Sequence, residues 1–325
     1  MNPLETTYLG LKLPTPIVAA SSGLTGQPDK IRIMEEQGAG AVVLKSLFEE
    51  QIMYEAGKLA ASHDYPEAGD YIRYYTKNNS IDQYLGLIEK VKKEVKIPVI
   101  ASVNCVSAGE WTAFARRMEE AGADAIEVNM YFLPLDPDVR CHTWEETYFS
   151  LAEKIREHIS VPVAFKLGQG FTNLVYLLDQ LYKRKVNGVV LFNRFYEPDI
   201  DPEKMHFTAA SVFSTPSDIS HSLRWVGIVT SMVEKMDVAA STGIHDGMAV
   251  VKQLLAGAQV AQVCSVLYQK GPRHLGVMKR QVEQWMKDHS YRSLDEFRGK
   301  MNYKNLPDPA VYERSQFMKY FSGHH

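Results

Sequence analysis

Residues 121–130 read Ala-Gly-Ala-Asp-Ala-Ile-Glu-Val-Asn-Met and contain the unit that decides the fold. The Gly-Ala pair follows an amphipathic stretch, and a glycine just after a helix readily takes the left-handed conformation that closes the last turn. The apolar run behind it is short and alternates little with polar residues, as in a strand that is buried on both faces. The same Gly-Ala pair recurs at 38–39 and 257–258. The repeat predicts helices and parallel strands in alternation.

Eight such units follow one another along the chain. We predict strands at 16–22, 41–46, 98–104, 125–130, 162–168, 188–194, 237–243 and 260–267. The predicted helices are 29–37, 81–95, 109–121, 144–159, 174–185, 222–236, 247–256 and 275–289. The predicted fold class is therefore α/β, a (β/α)8 TIM barrel, with an open doubly wound sheet as the alternative. We predict one domain over residues 1–325, because barrels of this size often form a single domain.

Three segments are additions to the eight strand-helix units of the predicted barrel. Residues 1–15 include an alternating stretch with a glycine turn, which predicts a hairpin at the barrel floor. Residues 47–80 form a long aromatic excursion after the second strand, and residues 195–220 form another after the sixth. Loops that follow barrel strands lie at the C-terminal face, where active sites are built. Long loops there are commonly lids or binding elements.

The composition excludes several classes of function. The chain has 325 residues, 45% of them hydrophobic and 23% charged, with a formal net charge of -3. This balance offers no basic surface for nucleic acid or an anionic membrane. No apolar stretch is long enough for a membrane anchor, and the three cysteines lack metal-binding spacing. We expect a reduced, cytoplasmic protein without a metal site.

Polar side chains stand at the ends of many predicted strands. Two lysines and three asparagines do so: Lys45, Asn104, Asn129, Lys166 and Asn193. A buried lysine costs several kcal/mol, of the order of 2–7, unless something pairs with it. Five such residues at one level of a barrel predict an anionic, hydrogen-bond-rich ligand at the mouth.

Small and hydroxylated residues complete the predicted site. The first strand ends with Ala20, Ser21 and Ser22, which let a ligand approach the backbone, and Ser46 follows Lys45. The last two strands end near Thr242, Gly243, Cys264 and Ser265, where barrels commonly bind phosphate. Capping of the next helix by Asp246 is an alternative role for this turn, and the two are compatible.

The order and spacing of these motifs resemble the dihydroorotate dehydrogenase family over almost the whole chain. The matching segments are Tyr-Leu-Gly-Leu at 8–11, Ala-Ser-Ser-Gly at 20–23, Lys-Ser at 45–46, Asn129, Phe-Lys-Leu at 165–167, Ser-Thr-Gly-Ile at 241–244 and Gly-Pro at 271–272. The resemblance implies an FMN-dependent oxidoreductase that acts on a CH–CH bond, such as dihydroorotate to orotate in pyrimidine biosynthesis.

The resemblance also implies where FMN lies. Its phosphate is expected at Thr242, Gly243, Cys264 and Ser265, and its ring beside the strand-end residues Ala20, Ser21, Ser22, Lys45, Ser46, Asn104, Asn129, Lys166 and Asn193. Lys166 makes physical sense near the N1–C2=O edge, because reduction puts negative charge there and a fixed cation stabilises it. Lys45 is expected near the ribityl chain or a substrate carboxylate.

The residues expected to move a proton depart from the family pattern. The family's soluble members carry a cysteine base in an Asn-x-x-Cys-Pro-Asn run, whereas residues 129–134 here read Asn-Met-Tyr-Phe-Leu-Pro. Phe132 therefore stands at the position of the base and cannot accept a proton. Tyr131 is the predicted replacement, beside Lys45 and Lys166 as catalytic residues, and Cys105 and Cys141 are further candidates.

The substrate half of the motif set is largely rewritten, so dihydroorotate and a divergent small anionic substrate both remain open. Asn129, Asn193, Arg73 and Arg194 are the predicted substrate contacts, since guanidinium groups bind carboxylates in a bidentate manner. Two other functions remain open: a phosphate-binding lyase or aldolase that forms a Schiff base on a lysine, and a flavoprotein electron relay without its own turnover. By analogy with the family we also expect a homodimer, and a separate electron-transfer partner is a further expectation.

Overall fold

The computed structural model describes residues 2–48, 68–105, 111–130, 132–195 and 198–313, and of residues 68–79, 105, 111–113, 141 and 209 it describes the backbone alone. In chain order the strands are β1 Thr6–Tyr8, β2 Leu11–Leu13, β3 Ile17–Ala19, β4 Ala41–Val43, β5 Leu47–Phe48, β6 Val99–Cys105, β7 Ala125–Met130, β8 Val163–Leu167, β9 Gly188–Leu191, β10 Pro198–Asp201, β11 His206–Ala209, β12 Asp237–Ser241 and β13 Val260–Val263.

The helices fill the intervals between these strands. They are α1 Pro28–Glu36, α2 Ala68–Glu94, α3 Trp111–Glu120, α4 Cys141–His158, α5 Leu174–Lys183, α6 Ile219–Met232, α7 Gly247–Ala256, α8 Ser265–Lys270 and α9 His274–Asp288. Short 3-10 turns lie at Leu24–Gly26, Pro216–Asp218, Leu294–Glu296 and Pro309–Tyr312. Among the helices described, none is long and apolar enough to span a lipid bilayer.

Eight parallel strands close into a barrel. They pair in the order β4, β3, β13, β12, β9, β8, β7 and β6, and β6 pairs back with β4. The short strand β5 adds to β6 on the same side. This closure confirms the predicted (β/α)8 TIM barrel, and the open doubly wound sheet is wrong. Each predicted barrel strand overlaps an observed one.

The N-terminal hairpin closes the floor of the barrel, as predicted. Strands β1 and β2 are antiparallel, and the side chains of Tyr8, Leu9 and Leu13 are buried against inward-facing residues of the barrel strands. The Leu9 amide donates a hydrogen bond to Oδ2 of Asp237, at the start of β12, over 2.6 Å. The floor is thus sealed by apolar packing, and access to the barrel interior is left to the opposite end.

Several predicted boundaries differ from the observed ones by a few residues, and two differences have a clear cause. Helix α2 begins at residue 68 and not at 81, because residues 70–80 contain neither glycine nor proline to stop it. The predicted strand 260–267 ends at 263, and residues 265–270 form helix α8. The last partner of β13 is Ala19 at the end of β3, so beyond Val263 no neighbouring strand is available for pairing in the described barrel.

The excursion at 195–220 contains its own hairpin. Strands β10 and β11 are antiparallel, and Ile200 faces Phe207 across them. The chain then returns to the barrel through the 3-10 turn Pro216–Asp218, and α6 begins at Ile219, three residues before the predicted start at 222. This return places residues 212–214 over the barrel mouth. The aromatic excursion predicted at 47–80 lies outside the described residues from 49 up to 67.

Candidate active site

A cavity of about 450 Å³ opens at the C-terminal ends of the barrel strands. Its walls come from the ends of strands β3, β8, β9, β12 and β13 and from the loops that follow them. The lining residues are Ala20, Ser21, Ser22, Lys166, Asn193, Arg194, Val212, Phe213, Ser214, Ser241, Thr242, Gly243, Ile244, Gln262, Cys264, Ser265 and Tyr268. A volume of this size lies in the range of small-molecule and cofactor sites, roughly 300–1,000 Å³.

A buried ionic group forms one end of the cavity. The Lys166 ammonium on β8 donates a hydrogen bond to Oε1 of Gln262 over 3.2 Å, and Oε1 of Glu127 lies 3.6 Å from it. The Gln262 amide in turn donates to Oε2 of Glu127 over 2.6 Å. Glu127 is 1% exposed and Lys166 is 6% exposed. The charge at the cavity wall is thus held in place by two side chains behind it.

A chain of hydroxyl groups runs beside the lysine. The hydroxyls of Ser21 and Ser46 are 2.9 Å apart, those of Ser46 and Ser102 are 2.7 Å apart, and the Asn129 amide donates to Ser46 over 3.1 Å. Oδ1 of Asn129 and the Ser22 hydroxyl are buried without a hydrogen-bond partner among the described residues. Buried polar atoms without partners are costly, so Oδ1 of Asn129 calls for a donor, and the Ser22 hydroxyl can either donate to or accept from a ligand.

Another part of the cavity wall is a strained turn after β12. Thr242 and Gly243 both have φ of +77°. A β-branched residue at positive φ is a conformational outlier, and such outliers collect at functional sites. The Thr242 hydroxyl donates to the Phe192 carbonyl over 3.0 Å, which holds the turn. A Cβ on Gly243 would lie 2.1 Å from the Ile219 amide nitrogen, so only glycine fits.

A loop covers this part of the cavity. The Ser214 amide donates to the Ser265 hydroxyl over 3.0 Å, and the Ser214 hydroxyl lies 3.1 Å from Nε2 of His245. The rings of Phe213 and Tyr268 pack together, with centroids 5.4 Å apart. The Tyr268 hydroxyl accepts a hydrogen bond from the Gly23 amide over 2.8 Å. The return from the 195–220 excursion is thereby fastened to the loops after β3, β12 and β13.

Two titratable groups near the cavity have perturbed pKa values. Burial lowers the pKa of His245, and the positive charge of Lys270 lowers it further, against smaller opposing effects. Burial raises the pKa of the Cys264 thiol, while the nearby Lys166 charge partly opposes the rise. His245 is therefore neutral at pH 7, and Cys264 is a protonated thiol there.

The structure brings most of the predicted residues together. Those that line the cavity are Ala20, Ser21, Ser22, Lys166, Asn193, Arg194, Thr242, Gly243, Cys264 and Ser265. Ser46 and Asn129 contact it through the hydroxyl chain. Asn104 is half-buried one strand further away, and Lys45 is exposed with its aliphatic chain beside Gly26. Neither of these last two belongs to the cavity wall as far as the structure describes it.

Of the predicted substrate-binding arginines and candidate bases, Arg194 is the one whose side chain the structure describes. The Arg194 guanidinium donates to the Ser211 carbonyl over 2.9 and 3.2 Å, so it also holds the covering loop. Tyr131 lies outside the described residues, and the side chains of Arg73, Cys105 and Cys141 lie outside the described side chains. Their roles stay predictions.

Phe132 is not among the residues that line the cavity in the described part of the chain. Its ring packs edge-on against Tyr148 with centroids 5.3 Å apart and lies 6.1 Å from the Trp144 ring, both on α4. Tyr148 continues the cluster to Phe171 at 5.6 Å. The residue at the expected position of the base is thus part of an aromatic cluster between the β7 loop and the helix layer.

Sequence reasoning missed Glu127, Gln262, Ser214 and Tyr268. The first two had a signal, because a glutamate and a glutamine in the middle of otherwise apolar strands must face the barrel interior. Ser214 and Tyr268 had none, since their contacts depend on how the 195–220 excursion folds back.

A model of the family "Dihydroorotate dehydrogenase" matches residues 3–286. This chain belongs to that family. It is 26% identical over 309 residues to the catalytic subunit of dihydroorotate dehydrogenase B (NAD(+)) of Thermoplasma volcanium, covering 92% of this chain and 98% of the relative. It is 27% identical to a putative dihydroorotate dehydrogenase A (fumarate) of Aeropyrum pernix, and the match covers 91% of this chain and 96% of that relative. It is 21% identical to a chloroplastic dihydropyrimidine dehydrogenase (NADP(+)) of Arabidopsis thaliana, and that match covers 91% of this chain and 76% of the relative. The chain is therefore an oxidoreductase of the dihydroorotate dehydrogenase type.

Proposed function

We propose that the chain binds FMN in the mouth cavity and uses it to oxidise the CH–CH bond of dihydroorotate or a closely similar small anionic substrate. The observation that carries the proposal is the cavity of a family barrel whose wall holds both a buried lysine and a glycine turn. Lys166 supplies a fixed cation, and Gly243 forms a turn in which only glycine fits.

The residues present fit FMN. The Thr242–Gly243 turn and the Ser265 hydroxyl offer donors to a phosphate at the place where barrels commonly bind one. Ser22 on the cavity wall, and Asn129 in the hydroxyl chain beside it, present buried polar atoms without partners among the described residues. Bound FMN would supply a hydride acceptor.

The side chains around the cavity would perform the remaining work. The Lys166 ammonium stabilises negative charge that develops at its end of the cavity, and its ion pair keeps it in position. Asn193 and Arg194 lie at the cavity wall and would bind a small anionic substrate. Oxidation of a CH–CH bond releases one hydride and one proton, so a base must accept the proton. Tyr131 stays the predicted base, with Cys105 and Cys141 as alternatives.

The Schiff-base alternative has less support. A lysine attacks a carbonyl only through a free amine. Lys166 is ion-paired with Glu127, and Lys45 is exposed outside the described cavity wall. The expected homodimer and the separate electron-transfer partner stay predictions, which light scattering and co-purification test.

Anaerobic addition of dihydroorotate to the FMN-loaded chain tests the proposal. We expect the flavin absorption to bleach, more slowly in Lys166→Met than in the surface control Lys183→Met. Cys105→Ala and Cys141→Ala, made singly, identify or dismiss each thiol as the base. A loaded flavin that dithionite bleaches and dihydroorotate does not would refute dihydroorotate as the substrate. It would direct the search to other small anionic substrates.

A further inference from the structure

Glu127 is the most deeply buried charged side chain of the described site, and the proposed chemistry does not use it directly. It lies on β7, two residues before Asn129, and is 1% exposed. Its carboxylate does not line the cavity as described, whereas its neighbours Lys166 and Gln262 do. A carboxylate removed from water in this way is expensive unless its charge is balanced and its oxygens are hydrogen-bonded.

The contacts of Glu127 form a defined group, which we call the triad of Glu127, Gln262 and Lys166. Gln262 bridges the two charges: its carbonyl accepts from Lys166 over 3.2 Å and its amide donates to Glu127 over 2.6 Å. The direct distance between the charges is 3.6 Å. The triad comes from three strands, β7, β8 and β13, so the barrel itself fixes its geometry.

Two buried phenols are affected by the negative charge of Glu127 but do not balance it. Tyr8 is fully buried at the barrel floor, and its pKa is raised by burial first and then by the charges of Glu127 and Asp237. The pKa of Tyr84 is raised by burial and by Glu127 as well, although its hydrogen bond to Ser102 opposes the rise. Both phenols are neutral at pH 7. Within the described barrel, Lys166 is thus the cation that pairs with Glu127.

We propose that Glu127 is a positioning residue that holds Lys166 through Gln262 and offsets its positive charge. The reduction potential of the cofactor in the cavity is therefore lower than it would be beside a lysine whose charge is not compensated. This inference rests on the proposed function, because it requires a redox cofactor beside Lys166. The physical reason is that reduction adds negative charge next to Lys166. A second negative charge one ion-pair distance behind that lysine opposes the addition.

Removal of the carboxylate charge tests the inference on the FMN-loaded full chain. Glu127→Gln keeps the size of the side chain and is expected to shift the midpoint potential in the positive direction. We expect at least a tenfold change in the equilibrium constant for reduction, about 30 mV for a two-electron couple. Lys166→Met is expected to shift the potential in the negative direction. Glu127→Asp keeps the charge and should stay close to wild type, as should the surface control Glu153→Gln.

A double-mutant cycle tests the charge pairing without any cofactor. Unfolding of the full chain is measured for Glu127→Gln, Lys166→Met and the double variant. Each single variant leaves one buried charge unpaired, so the double variant should be more stable than additivity predicts, by at least about tenfold in the unfolding constant. If Glu127→Gln alone does not fold, the double variant still should.

The outcomes separate the two proposals. Additive effects in the cycle, or a double variant that fails to fold, would overturn the pairing. A loaded Glu127→Gln protein with an unchanged or more negative potential would overturn the inference and leave the proposed function intact. A wild-type chain that takes up no flavin would refute the proposed function, and the inference with it.

Discussion

Gly243 offers the sharpest test of the turn that closes the cavity. In Gly243→Ala, the new Cβ would lie 2.1 Å from the Ile219 amide nitrogen and 2.7 Å from the Asp218 carbonyl carbon. An ordinary contact needs 3.4 Å or more, so the turn and the start of α6 must separate. The residue also has φ of +77°, a conformation that costs alanine roughly 1–2 kcal/mol.

The magnitude follows from these two terms. Overpacking of a well-packed site costs about 1–3 kcal/mol, so the free energy of unfolding should fall by roughly 2–5 kcal/mol in total. A matched control isolates the packing term. Gly10 has φ of +75°, and a Cβ added there would have no described atom within 4 Å, so Gly10→Ala should lose only about 1–2 kcal/mol.

The assay is urea unfolding of both variants together with a titration of FMN. Because the displaced turn carries the proposed phosphate donors, Gly243→Ala should bind FMN at least tenfold more weakly, about 1.4 kcal/mol. Gly10→Ala lies at the barrel floor and should bind FMN like wild type. Equal losses of stability in the two variants would contradict the tight packing of this turn. Equal FMN affinities would contradict its proposed role in holding the phosphate.

Three further predictions follow from single contacts. Tyr268→Phe removes the acceptor of the Gly23 amide and should weaken FMN binding about two- to tenfold, measured by fluorescence titration. Asp246→Ala removes the cap of α7, which accepts from Ala249 over 2.8 Å, and should cost about 0.5–2 kcal/mol in urea unfolding, whereas Asp246→Asn should cost less. The pKa of His245 is lower in the folded protein than the value of about 6.5 for a free histidine. The neutral imidazole therefore stabilises the fold above pH 6.5, and this stabilisation is lost as the pH falls below 6.5. The stability difference between wild type and His245→Gln should therefore shift against wild type from pH 7.5 to 5.5, and a flat difference would contradict this.

The positions of the barrel strands could be predicted from the sequence, although several of their ends could not. Short apolar runs, three of them after Gly-Ala pairs, located the strands, and Lys166 near the end of one of them pointed to the cavity because parallel strands end at the same face. The Asp246 cap was also recognisable from its position before an apolar helix. Local sequence is sufficient for these features, since each depends on neighbours within a few residues.

The loop that covers the cavity could not be predicted from local sequence. Ser214 meets Ser265 and His245 only after a hairpin has carried the chain out and back, and such pairs are 51 and 31 residues apart. Lys45 was predicted at the end of a strand over 41–46, but β4 ends at Val43. The Lys45 side chain is exposed beside Gly26, because position near a strand end does not determine where a long side chain goes.

Titration of FMN and of riboflavin into the full chain examines the proposed flavin site itself. We predict one FMN bound per chain, with the visible spectrum of a protein-bound flavin. FMN should bind more tightly than riboflavin, because we propose that Thr242, Gly243 and Ser265, which line the cavity, hold the phosphate. A purified chain that is colourless and takes up neither flavin would contradict the proposed function at its root.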